Sequence, residues 1–192
     1  MSTDVPVPRD SAFRYYARKI TPQFIDTLPD ARSKAVAVHA LAVSEQWLQR
    51  RLAASAYEGQ DQALNLLHEC GLLIIRALIY AARADGQFDS LEHGALSVVC
   101  SGLCTQYEAD GFIDEMLTCE IKVQDLADAV QFEEESLDLY FLSSLIVNGA
   151  HFIEQNYLEE SAAALHITPS AQHRLDEQAE ALLKTALVEH GN

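Results

Sequence analysis

The chain predicts an all-α fold: a compact multi-helix bundle with an N-terminal helical extension. Three observations carry this expectation. Apolar residues recur with helical spacing along nearly the whole chain, and no stretch alternates as a half-buried strand does. Gly and Pro together make up only 13 of 192 residues, so long helical runs are left unbroken. Cap residues and first-turn prolines fall where those runs begin.

Four of the five prolines (Pro6, Pro8, Pro22 and Pro29) fall in the first 30 residues, which predicts an irregular arm with short helices, one starting at Thr21-Pro22. Asp30 is placed to cap a long helix over about 31–58, with Val36, Ala40, Val43, Trp47 and Leu48 on its apolar side. The next helix, about 61–84, confines Gln62, Asn65, Glu69, Arg76 and Arg83 to one stripe and is apolar elsewhere, so it belongs at the centre of the bundle. Further helices are predicted at about 90–105, 107–118, 123–130, 133–147, 151–165 and 169–189. Glu133-Glu134-Glu135 put negative charge at one helix start, where the helix dipole favours it, and Thr168-Pro169 introduce the last helix. Short loops make neighbouring helices mostly antiparallel. The division is an arm and long helix at 1–58, packed on a helical domain at 59–192.

Charge is uneven along the chain. Residues 1–60 hold 8 Lys/Arg and 6 Asp/Glu, whereas residues 61–192 hold 5 and 23, which leaves the second part at −18. An acidic body repels nucleic acid and anionic lipid, both of which bind through neutralising cations. The longest apolar run, "CGLLIIRALIYAA", is interrupted by Arg76 and too short to span a bilayer. No secretory signal pattern precedes it, and the four cysteines are expected to be reduced, mostly buried thiols in the cytoplasm. Cys100 and Cys104, one helical turn apart, are placed to face each other. Motif-borne catalysis finds no support. There is no Cys-x-x-Cys, no phosphate loop, no Gly-x-Ser-x-Gly, and no His-Glu-x-x-His; no His follows a Glu by three positions, as a di-iron bundle requires.

The stretch "ARADGQFDSLEHG" (82–94) resembles the second half of a calcium loop. With Gly86 at the loop's sixth position, Asp85, Asp89 and Glu92 fall at the fifth, ninth and twelfth. The first and third positions then fall on Ala81, which has no ligating oxygen, and Arg83, a cation. The alternative is a turn with caps: Gly86 ends the central helix, Phe88 returns to the core, and Asp89 and Glu92 form a capping box. A weak internal repeat supports that alternative. "LIYAARADGQFDSLEHGAL" and "LSSLIVNGAHFIEQNYLEESAAAL" share an apolar helix, a Gly-containing break, an aromatic, an acid and a second helix; in the later copy Glu154 occupies the first turn.

"LIIRALIYAARADGQFDSLEHGAL", "DLADAVQFEEESLDLYFLSSLIV" and "FIEQNYLEESAAALHITPSAQHRL" together resemble the YebE-like branch of the TerB-like tellurite-resistance proteins, over roughly residues 62–189. The resemblance implies an all-helical protein without established enzymatic activity, with links to metal or stress responses, and metal contact at Asp85, Asp89, Glu92 and Glu154. The chain departs from that pattern at Asn148, where the family usually has Asp, and at Gln155, where a basic residue is common. The expectation is therefore a non-enzymatic interaction or stress-response module with no cofactor. It would act with a protein partner or by self-association, without nucleic acid or membrane insertion. The first alternative is a module that binds a weakly held divalent cation at its acidic turns; the second is an enzyme assembled from distant residues that no motif reveals.

Overall fold

The structure, a computed structural model, describes residues 25–55, 60–84, 90–103, 106–147 and 152–190. A helical turn at 25–27 precedes eight helices among these residues: α1 (Ala31–Ala54), α2 (Gln60–Ala82), α3 (Ser90–Leu103), α4 (Gln106–Thr118), α5 (Val123–Asp128), α6 (Glu133–Ile146), α7 (Phe152–Ala164) and α8 (Pro169–His190). The described residues contain no strand, in agreement with the all-α expectation.

Two of the expected starts are visible as hydrogen bonds. Ser33 N–H donates to Asp30 Oδ1 at 2.9 Å at the start of α1, and Ala171 N–H donates to Thr168 Oγ1 at 3.3 Å at the start of α8. Between α7 and α8 the chain reverses through a Schellman turn: Ile167 N–H donates to the Ala162 carbonyl (2.9 Å) and His166 N–H to that of Ala163 (3.2 Å). His166 holds the left-handed position (φ 56°), which glycine more commonly fills. Gly86, Phe88, Cys104, Asn148 and Gly149, on which the turn and cysteine expectations rest, lie outside the described residues.

At the centre is α2, as its apolar circumference requires; Ile74, Ile75, Leu78 and Ile79 are fully buried. α1 packs on α2, α3, α6 and α8, and α6 packs on α2, α7 and α8. Val36, Ala40, Val43 and Trp47 of α1 belong to the same apolar cluster as α2, α3 and α6. The long first helix is therefore part of the main core.

Polar joints fix α1 against α6. Trp47 is fully buried, and its Nε1–H donates to Asp138 Oδ2 at 2.8 Å. One turn further along the same face, Arg51 forms a buried pair with Glu135. The guanidinium Nε donates to Oε1 at 2.8 Å and Nη2 to Oε2 at 2.7 Å, while Nη2 also reaches the Ala129 carbonyl at 3.1 Å. Glu135 Oε2 accepts in addition from the Gln131 N–H at 2.8 Å, which closes the start of α6. The packing of the long helix on the bundle is thus made by apolar burial together with this buried ion pair. On the other side of α6, Tyr140 Oη (2.9 Å) and Ser144 Oγ (3.0 Å) both donate to Asp176 Oδ1 of α8.

Candidate functional site: a cleft at the end of the central helix

The last turn of α2 and the two residues that follow it present Tyr80, Arg83 and Ala84 at i, i+3 and i+4. α7 presents Ile153, Asn156, Tyr157 and Glu160 with the same periodicity, and the two faces line a cleft of about 420 Å³. The Tyr80 and Tyr157 rings meet at 4.8 Å between centroids, tilted by 48°. Tyr157 is buried behind, Tyr80 is half-buried, and Ile153 is 60% exposed at the rim. The third wall is the link after α4, where Arg83 Nη1 donates to the Cys119 carbonyl at 3.1 Å and Glu120 and Ile121 complete the lining.

Burial pushes the phenol of Tyr80 above its ordinary range, and the nearby Glu160 carboxylate adds to this. Burial does the same to Tyr157. Both rings therefore remain neutral phenols at physiological pH.

A second cavity, about 340 Å³, lies between Arg51, Arg76, Asp128 and Gln131. Cys70, in the core beside it, is buried; burial pushes its thiol up to about 11, against the opposing charge of Arg51. It is protonated at neutral pH and so a poor nucleophile. For Arg51 itself burial is the largest influence and acts to lower the pKa, but the bond to Glu135 and the nearby negative charges, Glu135 and Glu69 among them, together raise it.

The residues singled out from sequence divide as follows. Glu92 is in the first turn of α3 and half-buried; Glu154 is in the first turn of α7 and buried, both in the expected helical positions. Asp85 and Asp89 lie outside the described residues. Among the described residues no group of three or more His, Cys, Asp or Glu side chains is placed to hold a metal ion. Sequence reasoning missed the tyrosine pair: Tyr80 lies ahead of the first break and Tyr157 well after the second, so the two hold no equivalent place in the internal repeat.

Residues 28–179 match the model of a family described as "Protein of unknown function (DUF533)", and the chain belongs to that family. The match starts ahead of α1, whereas the resemblance read from the sequence starts at residue 62. Among curated proteins the chain is similar to an "Uncharacterized protein in ampR 5'region" of Yersinia enterocolitica, 26% identical over 104 residues. That alignment spans 54% of this chain and 75% of the relative. No solved structure matches the chain. No described helix is long and apolar enough to cross a membrane.

Proposed function

We propose that the chain is a non-enzymatic helical interaction module of the TerB-like, YebE-like kind, acting in a cytoplasmic stress response. The cleft between α2 and α7 is the surface it offers to a protein partner or to a second copy. The observation that carries this reading is the make-up of the cleft: an aromatic pair at its base, an exposed apolar residue, Ile153, at its mouth, and charged groups around it. Protein interfaces concentrate binding energy in such aromatic-lined depressions ringed by polar residues. Arg51 with Glu135 and Tyr140 with Asp176, by contrast, are engaged in joining helices.

The test is a photo-reactive amino acid in place of Ile153 in the full chain, irradiated in the native host. A control carries it at Gln178, an exposed position on α8. The expected result is a discrete cross-linked species, hetero- or homomeric, from position 153 alone. Equal products from both positions, or none, would overturn the reading.

A second reading, a weak divalent-cation site at the acidic turns, draws on the matching places of Glu92 and Glu154 in the first turns after the two breaks. With half the loop ligands missing, Ca²⁺ is expected to bind no tighter than about millimolar. Calorimetric titration of the chelator-treated protein with Ca²⁺, Mg²⁺, Mn²⁺ and Zn²⁺ tests this. A micromolar constant abolished by Asp89→Ala would establish a metal-binding module instead.

A further inference from the structure

We propose that the α2–α7 cleft receives a cationic side chain, arginine or lysine, from the partner protein. The assignment rests on the interaction reading above and names its chemistry. Two carboxylates line the cleft, Glu120 from the link after α4 and Glu160 from α7, and both residues are exposed. The one lining cation among the described residues, Arg83, already directs Nη1 to the Cys119 carbonyl. The local balance is therefore negative.

The ring of Tyr80 has the position a cation needs. It is half-buried, packed against Tyr157, and shares the lining of the cleft with Glu160 and Ile153. A guanidinium or ammonium group over a phenol face is attracted by the ring quadrupole, and its methylene stem covers apolar surface at the mouth. Other occupants fit less well. An anion would face Glu120 and Glu160, and a purely apolar group would strip water from both carboxylates without replacing its hydrogen bonds. At longer range, the 23 Asp/Glu against 5 Lys/Arg in residues 61–192 steer cationic segments toward this part of the chain.

The experiment uses the full chain with ¹³C-labelled tyrosine rings and two probe peptides, acetyl-Leu-Arg-Leu-amide and its citrulline counterpart, which is nearly isosteric but neutral. The arginine peptide is expected to shift the Tyr80 and Tyr157 signals and to bind about tenfold more tightly than the citrulline peptide, the combined effect of one exposed charge pair and one cation–π contact. Glu120→Gln/Glu160→Gln is expected to reduce that preference to about threefold, the part that the cation–π contact supplies. Glu134→Gln/Glu177→Gln, the same charge change at exposed sites off the cleft, is expected to leave it intact. Unmoved tyrosine signals, equal affinities for the two peptides, or loss of the preference in the off-cleft variant would each overturn the assignment. If position 153 still gives its discrete cross-link in such a case, the interaction reading stands and only the cation assignment falls. If that cross-link is absent as well, both fall.

Discussion

Arg51 and Glu135, 84 positions apart in sequence, form a two-pronged ion pair whose side chains are 3% and 0% exposed. Each partner depends on the other for its charge to be tolerated in the core. Removing one leaves an uncompensated buried charge, which typically costs about 3–5 kcal/mol. Arg51→Met and Glu135→Leu are each expected to lower unfolding free energy by that order in urea titrations. The double substitution removes both charges and is expected to be less destabilised than either single one. A residual loss of about 1 kcal/mol per group comes from the Gln131 N–H and the Ala129 carbonyl, which lose a partner. A double variant at the sum of the two single losses would show that the pair does not act as a unit.

Asp138 gives a less intuitive expectation. Burial raises its carboxyl above the ordinary range, with the Trp47 N–H and the charge of Arg50 acting in the opposite direction. A raised carboxyl means that the folded state holds the proton more tightly than the unfolded chain. This contribution is therefore favourable below the unfolded value, about 4, and is lost as pH rises through the folded one. Asp138→Asn keeps an acceptor for Trp47 Nε1 and carries no charge. Its Tm is expected to exceed that of the wild type at pH 7, with the gain shrinking toward pH 4. A lower Tm at pH 7 would contradict the assignment of burial as the dominant influence.

His39 acts with the opposite sign. It stacks edge-on against Phe141, with ring centroids 5.6 Å apart, and burial lowers its pKa below the ordinary 6.5. The folded state keeps the ring neutral while the unfolded chain takes up a proton. Stability from this group is present above about 6.5 and is lost as pH falls through the folded value. Relative to the wild type, His39→Leu is expected to lose less stability between pH 7 and pH 5. Parallel stability curves for the two proteins over that range would rule the effect out.

The sequence pattern made the helices legible because helical period, caps and first-turn prolines are local signals; Asp30 and Thr168 act where they were expected to. What depends on a distant partner was less visible. Arg51 continues the register of Val36, Ala40, Val43 and Trp47, so a charge in the apolar face was there to be noticed. Nothing local, however, distinguishes Glu135 from Glu133 and Glu134, which remain exposed at the start of α6. The cleft depends on two helix faces meeting, and periodicity alone does not say which faces meet. The α7–α8 turn carries His166 in place of a signalling glycine, so its left-handed geometry could not be read from composition.

Trp47 fluorescence is the most direct test that α1 is built into the core. Trp47 is the only tryptophan, is fully buried, and contacts α6 through its indole N–H. The expected result for the purified full chain is a blue-shifted emission that iodide and acrylamide quench poorly, and that shifts red only with global unfolding. A red-shifted, readily quenched emission under native conditions would mean that α1 is undocked, and would contradict a core that includes it.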